Sequence, residues 1–304
     1  MIITTTGFFN TGSSAITHIL SEFDCVNNAA DSYEIRLLYD PDCISDLEFH
    51  LVENPHRQNT SYAIKRFIKK IKFNSNPFLN HHYQKLCKGT FKEISKEYIS
   101  KLTKFNYSGI SHIDVYDKCK FLVFLNRIYQ RILRFFLSRG MKNCFKESIF
   151  STNIKQFAGI FNEDEFLDAT KDYMGKILSF MNPENSKFIM IDQLVPPSNI
   201  GRYIRYLPND SETRVFIVDR DPRDLFVLCK YYLKSKAIPC KNVKIFCDWF
   251  EWTRGQSHAK KDPQNLKRIQ FEDLVYNYEN TRKEIIDFVG LSDDLCKNKK
   301  KETP

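Results

Sequence analysis

The chain has 304 residues, 46 of them Lys or Arg and 37 Asp or Glu, for a formal net charge of +9. With 42% hydrophobic and 14% aromatic residues it carries enough apolar side chains for a packed domain, which excludes a disordered chain. Only 10 Gly and 11 Pro exclude collagen-like or low-complexity sequence. The charge is concentrated in one block. Residues 61–150 hold 19 Lys/Arg against 5 Asp/Glu, net +14, and the other 214 residues hold 27 against 32, net −5. A basic excess of this kind fits nucleic acid, a membrane surface or a small anionic ligand.

In chain order, the β-rich run Met1–Thr6 leads through Gly7 and a loop to Gly12, then to Ala15, Ile16, Ile19 and Leu20 at helical spacing. This predicts strand, loop, helix. Residues 61–150 carry Ile64, Phe67, Ile68 and Ile71 at helical spacing and predict a helical insertion, broken near Asn74–Pro77 and Tyr107–Ser111. Within it, Lys120–Arg139 is the longest apolar run. Arg127, Arg131 and Arg134 interrupt it on one face, so it predicts an amphipathic helix and not a membrane span. A helix is expected over 163–181, ended by Asn182–Pro183. KFIMID (187–192), RVFIVD (214–219) and LKRIQF (266–271) predict strands, the first two closing on an acid. Helices are expected at 199–206, 225–233 and 281–289, with Gly290 as C-terminal cap, and the tail CKNKKKETP should fray. Short buried strands alternating with helices predict an open, mostly parallel α/β sheet.

Nine cysteines, at 25, 43, 87, 119, 144, 229, 240, 247 and 296, show no CxxC pair. They predict reduced thiols in a cytoplasmic protein. MIITTTGFF lacks the basic and apolar regions of a signal peptide. His18, His81 and His82 fall in no HxxxH or HxxE spacing, so no metal site is expected.

GFFNTGSS (Gly7–Ser14) stands where an anion-cradling loop would stand, between a strand and a helix. Gly7 and Gly12 permit a tight turn, and the amides of Thr11, Gly12, Ser13 and Ser14 would point at an anion on the helix N-terminus. The bland alternative is a βα turn with a serine cap. Gly7 and Gly12 match the spacing of an ATPase loop, but Ser13 stands at the lysine position, which disfavours a nucleoside-triphosphate hydrolase or kinase. Two later segments join this one. RVFIVDRDPRDLFVLCKYYLKS puts Arg220 just after a strand, and RIQFEDLVYNYENTRKEIIDFVGL reads strand, acidic pair, helix.

The three segments together, about 70 residues, resemble the sulfotransferases that use 3′-phosphoadenosine 5′-phosphosulfate (PAPS), in a bacterial form. The resemblance implies a P-loop-like three-layer α/β fold. It implies a PAPS-binding core from 1–60 and 151–304, with 61–150 as a large basic helical insertion, all one domain. Gly7–Ser14 would hold the 5′-phosphosulfate and RDPRD the 3′-phosphate, through Arg220. Arg223 and Asp224 read as a local ion pair or helix-start charges. No metal is implied, and the product would be 3′-phosphoadenosine 5′-phosphate (PAP).

The sequence departs from the family twice. Asn10 stands where the family has Lys or Arg on the bridging oxygen, and loss of such a donor costs about 10²–10³ in rate. Arg36 or a lysine of the insertion is the expected substitute. Leu228 replaces a serine contact to the 3′-phosphate, with Cys229 beside it. Glu34 is the first expectation for a general base and Asp192 the second.

The acceptor expected from the basic block is a hydroxyl or amino group of a carbohydrate or lipid-linked glycan, with peripheral contact to an anionic membrane through 61–150. Nucleic acid is not expected, since no reading motif accompanies the charge. A strand starting at residue 1 leaves no room for the N-terminal anchor of Golgi-type members, so a cytoplasmic enzyme is expected. The alternatives are an inactive nucleotide- or glycan-binding relative and a basic membrane-surface module.

Overall fold

A computed structural model describes residues 1–29, 34–79, 82–109, 111–116, 118–136, 154–255 and 264–291. His81, Cys144, Cys296, the tail and the apolar run past Phe136 lie outside these residues.

Strand β1 (Ile2–Gly7) runs through the loop of residues 8–13 into helix α1 (Ser14–Ser21) and the three-residue strand β2 (Val26–Asn28). Helix α2 (Ile44–Glu48) continues as one wide turn, Phe49–Glu53. Helices α3 (Arg57–Ser75), α4 (His82–Leu86) and α5 (Phe91–Lys101) precede strand β3 (Phe105–Gly109), α6 (His112–Tyr116) and α7 (Lys120–Phe136). Strand β4 (Ile154–Ala158) and helix α8 (Glu163–Met181) lead to β5 (Phe188–Asp192) and α9 (Ile200–Ile204). Then come β6 (Thr213–Asp219), α10 (Pro222–Val227) with the wide turn Leu228–Tyr232, α11 (Val243–Gly255), β7 (Leu266–Gln270), α12 (Phe271–Tyr276) and α13 (Tyr278–Val289).

Five of these strands form one sheet in the order β2-β5-β1-β6-β7, and every pair is parallel. Side chains alternate across a strand, so a sheet covered on both faces must be apolar on both. Ile2, Ile189, Ile191, Val215 and Ile217 face one core, shared with α2, α3, α5 and α8. Ile3, Phe188, Met190, Phe216 and Val218 face the other, closed by Ile16 and Leu20 of α1 and by Ile285 and Val289 of α13. The protein is therefore a three-layer α/β fold around a parallel sheet.

The local signals behave as their chemistry requires. Asn162 caps α8 with a reciprocal box: its side chain accepts from the Glu165 amide, and Glu165 accepts from the Asn162 amide. Gly290 ends α13 at φ 76°. The helix expected at 225–233 begins earlier, at Pro222, where a proline fits the first turn.

The basic block departs from an all-helical insertion. Phe105–Gly109 is a strand, paired antiparallel with β4 in the register Phe105↔Ala158 to Gly109↔Ile154. Buried Gln156 of β4 ties this ribbon down: it accepts from Ser61 Oγ and Lys65 Nζ, both at 2.8 Å, and donates to Asp114 Oδ2 at 2.7 Å. The partner of β3 lies some fifty residues downstream, from Ala158 opposite Phe105 to Ile154 opposite Gly109, outside any local pattern. Ala63, Ile64, Phe67 and Ile71 of α3, with Phe91 and Tyr98 of α5, sit in the same core as the strand residues.

Cysteines 43, 87, 119, 229, 240 and 247 are free thiols. Cys25, expected to be reduced, is disulfide-bonded. Among the described residues no helix is long and apolar enough to cross a membrane.

Candidate functional site

All strands of the parallel sheet end on one edge, so the loops after β1, β5, β6 and β7 share that edge. The loop after β1 is built for close approach. A Cβ on Gly7 would collide with Thr11 Oγ1 and lie 2.9 Å from the Val218 carbonyl oxygen. Phe9, Asn10 and Gly12 all take positive φ, at 65°, 53° and 96°. That conformation is unusual for phenylalanine and tolerated by asparagine. Among the described residues the main-chain amides of Asn10, Thr11, Gly12, Ser13 and Ser14 donate to no protein acceptor; the first turn closes with the amides of Ala15 and Ile16. Ser13 occupies the N-cap position and makes no side-chain capping bond, unlike the serine-capped turn of the bland alternative. Free amides at a helix N-terminus suit an anion.

The three segments singled out in the sequence meet here. Phe271, first residue of α12, lies against Gly12, where a Cβ would stand 2.6 Å from the ring carbon Cε2. The Arg220 guanidinium stacks on the same ring, 4.4 Å from its centroid. Arg220 Nε is buried and has no hydrogen-bond partner among the described residues. Glu272 accepts from the Asp221 amide at 3.0 Å, which fastens the acidic pair of the third segment to the loop of the second.

Arg223 forms a two-pronged pair with Asp221, Nε to Oδ1 at 3.0 Å and Nη2 to Oδ2 at 2.6 Å. Arg223 holds the Asp221 carboxyl down at about 2. Asp221 also caps α10 by accepting from the Arg223 amide. These charges are thus engaged with each other. Asn10 and Cys229, far apart in sequence, come together: Asn10 Nδ2 donates to Cys229 Sγ at 3.6 Å.

Glu34 and Asp192 form a second group beyond β1 and β5. Thr5 donates to Asp192 Oδ1 at 2.8 Å, and Thr5 Oγ1 lies 3.3 Å from Thr17 Oγ1 of α1. Burial pushes the Asp192 carboxyl above the usual range and the charge of Glu34 adds to this, against the Thr5 hydrogen bond. Glu34 is exposed; it pairs with Arg36 Nη2 at 2.7 Å and accepts from Gln193 Nε2 at 2.9 Å. Arg36 Nη2 also donates to Gln193 Oε1 at 3.0 Å, and its buried Nε has no partner among the described residues.

Sequence reasoning missed Arg254. This buried residue of α11 pairs with Asp219 at 2.5 Å and lies 4.4 Å from the Phe8 ring centroid and 3.5 Å from that of Phe250. It props the start of the β1 loop against the end of β6. Asp219 closing an apolar strand was its only local signal. Phe271 was also missed as a site residue, because its role depends on two distant neighbours.

No protein-family model matches the chain, and no curated protein matches it. Among solved structures, the chain is similar to the sulfotransferase STF1 from Mycobacterium tuberculosis, at 13% identity, over 95% of this chain and 67% of that one, with a TM-score of 0.34. A likeness at that score carries no weight for the site, which stands on its own geometry.

Proposed function

We propose that the chain is a PAPS-dependent sulfotransferase that moves a sulfuryl group to a hydroxyl or amino group of a carbohydrate or lipid-linked glycan. One observation carries the reading: Gly12, Phe271 and Arg220 are packed in series, so unbonded loop amides and an arginine with an unpartnered buried Nε face one sheet edge. A bisphosphorylated nucleotide needs two such anion sites at fixed separation. The residues present fit it: amides and serine hydroxyls at one phosphate, a guanidinium fork at the other.

PAPS supplies an activated sulfonate on a phosphate leaving group. The loop amides with Thr11, Ser13 and Ser14 would hold the negative charge of its phosphosulfate. Arg220 holds the 3′-phosphate. Asp192, whose burial keeps its carboxyl easily protonated, takes the acceptor proton as the new oxygen–sulfur bond forms and the sulfur–oxygen bond to phosphate breaks, releasing PAP. Glu34, with both oxygens already engaged, orders Arg36 and Gln193 beside it. The basic block of 61–150 takes the acceptor side.

A second reading rests on Asn10, which is uncharged and bonded to Cys229 where the family carries a cation. It makes the chain a nucleotide binder without useful turnover. Transfer of radiolabelled sulfate from PAPS to a glycan and glycolipid extract, run beside magnesium-free calorimetry with PAP, tests both. Transfer supports the first reading and PAP binding without transfer the second. Absence of PAP binding at high protein concentration overturns both.

A further inference from the structure

Helix α7 presents an unusual surface. Its seventeen residues contain no Asp or Glu, and at about 1.5 Å rise each it is about 25 Å long. At about 100° per residue it divides into three stripes. Val123, Asn126, Tyr129, Gln130 and Leu133 are the less exposed stripe, with Asn126 its one buried residue. Phe121, Phe124, Ile128, Ile132 and Phe135 form a second stripe, all exposed, from 41% at Ile128 to 82% at Phe135. Lys120, Arg127, Arg131 and Arg134 form the third, exposed and without a carboxylate partner among the described residues. A folded protein rarely leaves five large apolar side chains in one exposed row.

We propose that α7 is an in-plane membrane-contact helix whose occupant is an anionic lipid surface. Charge complementarity selects that occupant. The cations line one side of the apolar row, and exposed Leu122, Leu125 and Phe136 continue it on the other, so the cations would reach headgroup phosphates as the row enters the acyl boundary. A second copy would bring the same uncompensated charges against each other, and the helix holds no acid to offset them. Four charges over seventeen residues also keep the helix in the interface and not across it. The inference is independent of sulfuryl transfer, because its test uses lipid and no nucleotide.

The test is co-sedimentation of the full chain with vesicles of phosphatidylcholine alone and of phosphatidylcholine with phosphatidylglycerol. The expected result is binding to the anionic vesicles only, weakening as salt rises. The pair Arg127→Gln and Arg131→Gln should lower binding roughly tenfold or more. The pair Phe124→Ser and Ile128→Ser should abolish it while leaving the thermal melt in place, because both side chains are already exposed. Equal binding to neutral vesicles, no binding, or wild-type binding by the arginine variant overturns the proposal. A dimer in light scattering that Phe124→Ser and Ile128→Ser dissolves assigns the row to a second copy, and also overturns it.

Discussion

Replacing Arg220 separates a phosphate site from a structural stack. Arg220 lies over Phe271 at 4.4 Å, and its buried Nε has no partner among the described residues. A charge-assisted hydrogen bond contributes about 1.5–3 kcal/mol, so losing a guanidinium fork on a 3′-phosphate should cost about 3 kcal/mol. That is roughly a hundredfold in Kd. Adenosine 5′-phosphate lacks the 3′-phosphate and serves as internal control. In magnesium-free calorimetry the wild-type protein should bind PAP far more tightly than adenosine 5′-phosphate. Arg220→Ala should bring the two within severalfold of each other while leaving adenosine 5′-phosphate almost unchanged. Arg220→Lys should fall between, because a point charge keeps the attraction and loses the fork. Equal weakening of both ligands would show that Arg220 only braces the loop through Phe271. No change with either would refute the assignment of the 3′-phosphate site.

Three further outcomes follow from the geometry. Gly12→Ala forces a Cβ into the Phe271 ring at φ 96°, so it should lower stability by about 2 kcal/mol or more and weaken PAP binding; an unchanged melting temperature would count against the close packing. Asp192 has its folded-state carboxyl raised from 3.8 by burial, so the protonated form is favoured on folding. The stability it contributes is complete below 3.8 and is lost as pH rises through the folded value. Asp192→Asn should therefore melt above wild type at neutral pH, with the difference closing in acid, and should lose sulfate transfer, whereas Glu34→Gln should retain most of it. Glu48, 2% exposed, meets Arg202 at 2.6 Å, Arg205 at 3.0 Å and Tyr206 Oη at 2.6 Å. Glu48→Ala takes the carboxylate acceptor from the buried Tyr206 hydroxyl, while Arg202 and Arg205 keep Glu53 and Glu163, and should cost about 2 kcal/mol in urea unfolding, with PAP affinity unchanged.

Much of the fold was legible because its signals are local. KFIMID and RVFIVD announce buried parallel strands by unbroken apolar runs, and strands β5 and β6 fall there within a residue. Helix α8 and the Gly290 cap follow from periodicity and a left-handed position. Local patterns failed where a partner lies far off in the chain. Strand β2 is three residues long, and β3 exists only because β4 pairs with it. Of the site residues, Gly7, Gly12 and Arg220 stood out because each occupies a fixed place in a strand–loop–helix unit.

The sequence alone determined the alternation of strands and helices, the place of the loop from Gly7 to Ser14 between a strand and a helix, and the concentration of charge in residues 61–150, since propensity, turn chemistry and composition act over a few residues. Only the tertiary structure decided the strand order β2-β5-β1-β6-β7, the seating of Phe271 between Gly12 and Arg220, the Asp219–Arg254 brace, and the exposure of the apolar row on α7. Those features depend on which distant surfaces exclude water together. A stack of glycine, aromatic ring and guanidinium has no meaning until the chain ends of β1, β6 and β7 are brought to one edge.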